Sequence, residues 1–274
     1  MHTYGHDVSR TKTYHFNSLG FRGEEFNPDA DFKLFVAGSS YAFGPGIDLE
    51  ETWAYQLSQR IMESQSLPAQ AMSLVNFSEG GASNNYTARM AVTQCSKVKP
   101  SLLVTEFVFK NRSEGFIDGK PFQVGPWLLM NAWQRLKTAL STPKKNRRLL
   151  RQRLSQVNHY YSYYQEEQAF IDTLKNILLV QSYCKAEKIP CMLFWTEFKQ
   201  LEESRFTGNP VLAPLIAAID KRCFCDFSIT DEDIFVDRAA DNSHPGPKSQ
   251  QLFADKLMAF YERHYPGAAQ RSDS

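Results

Sequence analysis

The sequence predicts an α/β fold, a three-layer α/β/α sandwich with a central parallel sheet. Two observations predict it: short apolar runs recur along the chain, and amphipathic helical patterns separate them. The chain of 274 residues, 42% of them hydrophobic, is large enough to form a substantial core, and we expect a single domain over 1–274. In such a fold ligands bind beyond the carboxyl ends of the strands.

Four apolar runs are predicted to be strands of this sheet. Each is short and is followed at once by loop residues, as expected for strands buried on both faces. The runs are 33–37, 73–77, 101–108 and 191–195, with a weaker candidate at 223–229.

Helical patterns fill the intervals between these strands. Over 49–63 the apolar residues recur at four-residue spacing on one face, and Asp48 with Glu51 is a candidate N-cap and capping box. Further helical patterns occupy 83–96, 164–187, 209–222 and 247–264.

The segment 112–163 interrupts the alternation and is interpreted as a helical basic insertion, a candidate lid within the domain. No Asp or Glu occurs from Gly119 to Gln165. Leu150, Leu154, Val157 and Tyr161 recur at helical spacing, which predicts an amphipathic helix. The basic residues from Gly119 to Gln165 are Lys120, Arg135, Lys137, Lys144, Lys145, Arg147, Arg148, Arg151 and Arg153.

Three roles are open for this insertion. A solvated helical face is the plainest interpretation of its charge. A rim that attracts anionic substrates is the second, and contact with an anionic membrane surface is the third. We expect no nucleic-acid partner, because the net charge is +1 and no recognised binding motif accompanies the basic segment. The aromatic residues that could offer apolar or sugar-stacking surface there are Trp127, Trp133, Tyr160, Tyr161, Tyr163 and Tyr164.

The cysteines and the first residues bear on compartment and cofactors. The five cysteines show no zinc-site spacing, so we expect free buried thiols, no metal and no other cofactor. The first twenty residues lack the apolar core of a signal peptide, and no apolar run is long enough to span a membrane. The expected location is therefore cytoplasmic, and the oligomeric state stays open.

Two loops contain residues suited to nucleophilic chemistry. Ser39 and Ser40 follow the first predicted strand in "VAGSSYAFGPG", where a serine is either a turn residue or a nucleophile. His244 lies in "DNSHPG", three residues after Asp241. A carboxylate at that spacing can receive the Nδ1 proton and leave Nε2 free to accept one from a serine. An ordinary loop at a helix start explains the same residues.

Taken together, four loops resemble the four blocks of the SGNH, or GDSL-like, hydrolase family. They are "GSSYAFG" after the first predicted strand, "NFSEGGAS" after the second, the loop of Asn111 after the third, and "DNSHP" before the last helix. The earlier "NSLGFRG" also looks like a segment found in many members. The resemblance covers about residues 14–262 apart from the insertion. It implies the flavodoxin-like arrangement of that family.

The resemblance also implies roles for individual residues. Ser40 matches the nucleophile, and Asp241 with His244 matches the final Asp-x-x-His. The backbone amide of Ser40, Gly81 and the side chain of Asn111 match the groups of the oxyanion hole.

The chain departs from the family pattern at two positions. Ser39 stands where the family has aspartate, and Arg112 stands where aspartate commonly follows the third-block asparagine. A serine hydroxyl can brace the turn as the aspartate does, but without its charge.

The implied function is hydrolysis of a carboxylic ester, either an acyl ester or an O-acetyl group, by a Ser-His-Asp triad. The implied substrate is a small-molecule or carbohydrate ester, with an anionic one favoured by the basic insertion. Two alternatives are open. One is an O-acyltransferase that passes the same acyl group to a sugar or small metabolite, and the other is an inactive SGNH-like module that binds an anionic partner.

Overall fold

A computed structural model of the chain describes residues 3–4, 12–125, 141, 143, 147–163, 166–198, 208–226, 228–229, 232 and 235–265. The strands are β1 (Thr3–Tyr4), β2 (Lys12–Thr13), β3 (Phe32–Ala37), β4 (Met72–Asn76), β5 (Leu102–Phe107), β6 (Ser113–Ile117), β7 (Lys120–Val124) and β8 (Cys191–Trp195).

The helices are α1 (Ser40–Phe43), α2 (Trp53–Ser64), α3 (Asn84–Cys95), α4 (Arg147–Tyr163), α5 (Glu166–Glu187), α6 (Ala213–Ala217) and α7 (Pro247–His264), with a short 3-10 helix at Ala69–Ala71. Within the described part of the chain, none of these helices has both the length and the apolar character needed to cross a lipid bilayer.

The central sheet has four parallel strands in the order β4-β3-β5-β8, which confirms the predicted fold class. The chain leaves β3 for β4 on one side and then returns to β5 on the other side. The strand order therefore reverses between β3 and β5, and ligands of open α/β sheets bind in the crevice at such a point. Ser40 and Asn111 lie just beyond the carboxyl ends of β3 and β5, Ser40 as the first residue of α1.

Helices cover both faces of this sheet. Leu34 and Val36 of β3 pack into one core with α2 and α7, whereas Phe35 and Ala37 pack into the other with α3 and α5. This alternation follows from the two-residue period of a strand. Burial of each large apolar side chain contributes about 1.5–3 kcal/mol, so two filled layers hold the strand ends rigidly.

Helix α2 begins later than the sequence predicted. Thr52 is its N-cap, and the Thr52 hydroxyl accepts a hydrogen bond from the Tyr55 amide at 3.3 Å. Asp48 and Glu51 do interact, since the Asp48 amide donates to the Glu51 carboxylate at 2.8 Å, but they close the turn before the helix. The predicted N-cap at Asp48 was therefore wrong by one turn.

Two predictions in the last third of the chain were also too long. The helix expected over 209–222 is limited to α6, and the Asp220 amide beyond it donates instead to the Gln181 side chain at 2.7 Å. The weak strand at 223–229 is reduced to a bridge between Leu193 and Phe224 at the sheet edge.

The insertion starts with a β-hairpin, so the prediction that it is helical throughout was wrong. Strands β6 and β7 pair antiparallel around Asp118 and Gly119, whose φ angles are 49° and 76°. Two successive positive φ angles define a type I′ turn, for which Asp-Gly is a preferred pair. Helix α4 follows as predicted and buries Val157 and Tyr160 against Val124 of β7.

The aromatic surface expected on the insertion is only partly within the described residues. The Tyr160 hydroxyl donates to the Asn111 carbonyl, and the Tyr161 hydroxyl donates to the Gly125 carbonyl at 2.8 Å. These two tyrosines therefore hold α4 against the backbone at Asn111 and Gly125 and are not a free stacking surface. Outside the described residues lie Trp127, Trp133, Tyr164, Arg135, Lys137, Lys144 and Lys145, and nothing is described of the Tyr163 side chain.

Candidate active site

The loops that carry the four blocks are joined by hydrogen bonds at the carboxyl edge of the sheet. The Glu79 amide of the second loop donates to the Gly38 carbonyl of the first at 3.4 Å. Arg112 of the third loop donates to the Ala82 carbonyl of the second at 3.3 Å. The Ala240 amide, beside the Asp241 loop, donates to the Gly46 carbonyl at 3.1 Å. The predicted site residues therefore belong to one connected set of loops.

Asp241 and His244 form the pair that their spacing predicted. His244 Nδ1 lies 2.6 Å from Asp241 Oδ2, and Asp241 Oδ1 accepts the backbone amides of Ser243 and His244 at 2.9 and 3.0 Å. Burial raises the pKa of the Asp241 carboxyl, but these hydrogen bonds outweigh burial and the net pKa is lowered. An ionised Asp241 holds the proton on Nδ1, which leaves Nε2 as the proton acceptor.

The histidine loop and the serine turn meet at Tyr41, the residue after Ser40. The rings of Tyr41 and His244 are 6.1 Å apart in an edge-to-face arrangement. Gln250 at the start of α7 donates to the Tyr41 carbonyl at 3.1 Å, which ties the serine turn to the helix that follows His244. Among the described residues no hydrogen bond is made by Ser40 Oγ. Serine–histidine bonds of catalytic sites are often long until substrate binds.

Two backbone amides at the site are available for an oxyanion. Within the described ranges, neither the Ser40 nor the Gly81 amide donates a hydrogen bond. Gly81 has φ 79°, a left-handed conformation that favours glycine, in the turn closed by the Ala82 amide on the Glu79 carbonyl at 3.1 Å. Amides of this kind are what a developing oxyanion requires.

Asn111 shows less evidence of a role in the site than Asp241 and His244 do. The residue is exposed, and its backbone carbonyl accepts the Tyr160 hydroxyl. In the described part of the chain its side-chain amide makes no hydrogen bond. Its role in the oxyanion hole remains a prediction.

Arg112, the departure noted in the third block, lies beside this loop set. Its guanidinium donates to the Ala82 carbonyl, next to Gly81, and stacks over the Phe109 ring at 5.5 Å. Burial lowers its pKa, while the negative charge of Glu106 acts in the opposite direction. Since arginine remains charged in proteins, the site contains a fixed cation next to the proposed oxyanion amides.

Glu106 is the site residue that sequence reasoning missed. Its side chain is 0% exposed, and it accepts hydrogen bonds from the amides of Ser39 and Ala42 and from the Ser39 hydroxyl. Burial raises the pKa of its carboxyl to about 7. The signal was present in the sequence, because Glu106 is the one acidic residue inside the apolar run 101–108.

Ser39 has the turn-bracing geometry expected of it. It is the N-cap of α1, and its hydroxyl accepts the Tyr41 amide at 3.4 Å while donating to Glu106 at 3.1 Å.

Comparisons with protein-family models and with curated proteins find no match. Solved structures similar to this chain include the psychrotrophic esterase EstA from a Pseudoalteromonas species, at 13% identity and TM-score 0.44 over 85% of this chain and 98% of that one. A lipolytic G-D-S-L family protein from Veillonella parvula has 10% identity and TM-score 0.40 over 85% and 99%. A two-domain esterase active on acetylated mannans has 13% identity and TM-score 0.47 over 86% and 50%.

The strand order β4-β3-β5-β8, with helices on both faces of the sheet, is the flavodoxin-like arrangement that the resemblance implied. Similarities at these identities and TM-scores carry no argument about activity, so the activity has to be argued from the residues of the site.

Proposed function

We propose that the protein is an SGNH-type serine hydrolase that cleaves a carboxylic ester. The observation that carries the proposal is the 2.6 Å bond between His244 Nδ1 and Asp241 Oδ2, in a loop whose histidine ring packs against the residue after Ser40. A carboxylate on Nδ1 fixes the tautomer that a general base needs. The amides of Ser40 and Gly81, which donate no hydrogen bond within the described residues, supply the complementary requirement, a site for negative charge.

The reaction follows from these groups. Ser40 Oγ attacks the ester carbonyl while His244 Nε2 removes its proton, and the carbonyl oxygen becomes an oxyanion held by the Ser40 and Gly81 amides and the Asn111 side chain. Collapse of the tetrahedral species expels the alcohol, which takes the proton from His244. Water then attacks the acyl-enzyme with His244 again as the base. This step releases the acid and restores the Ser40 hydroxyl.

The substrate class proposed is a small-molecule or carbohydrate ester that bears negative charge. Arg112 supports this choice, because its guanidinium lies beside the second-block loop. Lys120, Arg147, Arg148 and Arg151 add exposed positive charge on the insertion. Such charges attract an anionic substrate over distances up to the Debye length, about 8 Å at physiological salt.

Labelling with a fluorophosphonate tests the proposal, because the reagent needs an activated serine. We expect one adduct per chain, located on Ser40 by peptide mass mapping. Ser40→Ala should not label, His244→Ala should label about 10³-fold more slowly, and Ser39→Ala should keep labelling.

Two outcomes would contradict the proposal. An adduct on Ser39 would shift the block assignment by one residue. Absence of labelling in the intact wild-type protein would favour the inactive binding module. The acyltransferase alternative is favoured by a different result. In that case the protein labels but, when an acetyl ester is supplied together with an alcohol in water, it forms the acetylated alcohol faster than free acetate.

A further inference from the structure

Three hydrogen-bond donors of the serine turn converge on one carboxylate. Glu106 Oε2 accepts the backbone amides of Ser39 and Ala42, each at 3.1 Å. Glu106 Oε1 accepts the Ser39 hydroxyl at 3.1 Å. These donors lie immediately before and two residues after Ser40, so Glu106 bonds to the turn on both sides of the proposed nucleophile.

The neighbouring strand places this carboxylate. Thr105 of β5 pairs with Ala37, the last residue of β3, and Glu106 is the next residue along β5. Gly38 makes the approach possible, because a Cβ on Gly38 would lie 2.5 Å from Glu106 Oε2 and 2.9 Å from Glu106 Cβ. The first-block glycine is thus required by the space that Glu106 occupies.

A fully buried carboxylate is costly unless hydrogen bonds compensate for the lost water. The other groups that act on Glu106 are Arg112, whose positive charge favours the ionised form, and Tyr41. Packing alone would be served better by an apolar side chain, such as Leu102, Leu103, Val104 and Phe107 supply on the same strand.

We infer that Glu106 is a positioning residue for Ser40, supplying from β5 the carboxylate that the first-block aspartate supplies in the family and that Ser39 lacks. This assignment rests on the proposed function, since positioning matters only if Ser40 reacts. It explains why the chain has serine at position 39: a small hydroxyl there bonds to Glu106, whereas an aspartate would bring a second carboxylate into the same buried space.

Moving the carboxylate from position 106 to position 39 tests the assignment. The enzymes compared are wild type, Glu106→Gln, Ser39→Asp and the double variant Ser39→Asp/Glu106→Gln, assayed on 4-nitrophenyl acetate. We expect Glu106→Gln to lower kcat by roughly 10- to 100-fold with KM changed less than about threefold, because the attack angle of Ser40 depends on the turn more than binding does. Ser39→Asp should lose at least as much.

The double variant is the decisive one. With the carboxylate moved to position 39 and an amide at 106, kcat should recover at least about tenfold over Ser39→Asp. Thr105→Val is the matched control, since Thr105 is a buried polar neighbour on β5 and its substitution should leave kcat unchanged. A wild-type kcat in Glu106→Gln, or a double variant no better than the poorer single variant, would overturn the assignment.

Activity and thermal unfolding together separate this assignment from the proposed function. If Ser40→Ala is inactive but Glu106→Gln keeps the wild-type kcat, the proposed function stands and the assignment fails. If the wild type has no esterase activity, the function fails, and moving the carboxylate is judged by stability alone. The midpoint for the double variant should then exceed that of Ser39→Asp by at least about 2–4 °C, and a midpoint equal or lower would refute the contact.

Discussion

Asp241 is hydrogen-bonded both to the ring of His244 and to the backbone of its own loop. Replacing it with asparagine therefore tests its effect on the His244 ring separately from its effect on the fold of the loop. In Asp241→Asn the loop amides keep an acceptor, but the side chain no longer fixes the proton on Nδ1. We expect kcat for ester hydrolysis to fall about 10³- to 10⁴-fold with the fold retained, as measured by steady-state kinetics and circular dichroism. Asp255→Asn on the exposed face of α7 is the control. Near-normal turnover in Asp241→Asn would remove this residue from the triad.

Gly38 provides a steric test of the same turn. A methyl group there would meet Glu106 and, at 3.0 Å, the Ala42 side chain, so either the carboxylate or α1 has to move. We expect Gly38→Ala to lower the free energy of unfolding by about 1–3 kcal/mol and to reduce kcat. Gly208→Ala, where no atom lies within 4 Å of the added Cβ, should do neither. Urea unfolding and steady-state kinetics measure the two effects, and an unchanged Gly38→Ala protein would show that the turn has room to adjust.

The β6–β7 hairpin at the start of the basic insertion is hydrogen-bonded to the start of α3, close in sequence to Gly81. Gln123 of β7 accepts the amide of Ser83, the N-cap of α3, at 2.9 Å. Arg89 on α3 forms a bidentate pair with Glu114 of β6 at 2.9 and 2.7 Å. These contacts fix the hairpin as a wall of the second-block loop.

Removing Arg89 should loosen that wall. The Glu114 side chain is 2% exposed, so Arg89→Met leaves a buried carboxylate without its main partner. We expect the free energy of unfolding in urea to fall by about 1–3 kcal/mol. Adding Glu114→Gln should restore part of the loss, because the unpaired charge is then gone. Lys175→Met removes an exposed pair with Asp172 and should change the stability by less than about 0.5 kcal/mol. An equal effect of the Arg89 and Lys175 substitutions would contradict the role given to the hairpin.

The layered fold was predictable from local patterns, because the spacing of apolar residues in each segment shows which of its faces is buried. The run 33–37 differs from β3 by one residue, and the helix expected over 247–264 is α7 itself. The pairing of Asp241 with His244 was also predictable from a local pattern, since the two residues are only three positions apart in the sequence. The hairpin also had a local signal in Asp118 and Gly119, whereas the positive charge of the insertion does not distinguish a hairpin from a helix.

Glu106 was not predictable in this way because its partners are distant in sequence. The amide of Ser39 is 67 residues away and that of Ala42 is 64 residues away. Only the parallel pairing of β3 with β5 brings them together. The placement of the Asn111 side chain likewise depends on how α4 packs on its loop, which the order of the blocks does not specify.

Burial of Glu106 should also make the stability of the whole protein depend on pH. Burial raises the pKa of this carboxyl to about 7, although the Ser39 and Ala42 hydrogen bonds and the Arg112 charge act against the rise. In the unfolded chain a glutamate has a pKa near ~4.3. Between these two values the unfolded state loses the proton and the folded state keeps it. The contribution of Glu106 to stability is therefore full below ~4.3 and is lost as pH rises to about 7.

Comparison with Glu106→Gln isolates this contribution, because the histidines and the other carboxyls titrate in both proteins. The free energy of unfolding in urea, measured from pH 5 to pH 8, should fall for the wild type relative to the variant by up to roughly 1.4 kcal/mol per pH unit, and the difference should level off above pH 7. A difference that grows with pH would mean that the folded state prefers the ionised carboxylate. In that case the hydrogen bonds of the turn and Arg112 outweigh the burial of Glu106.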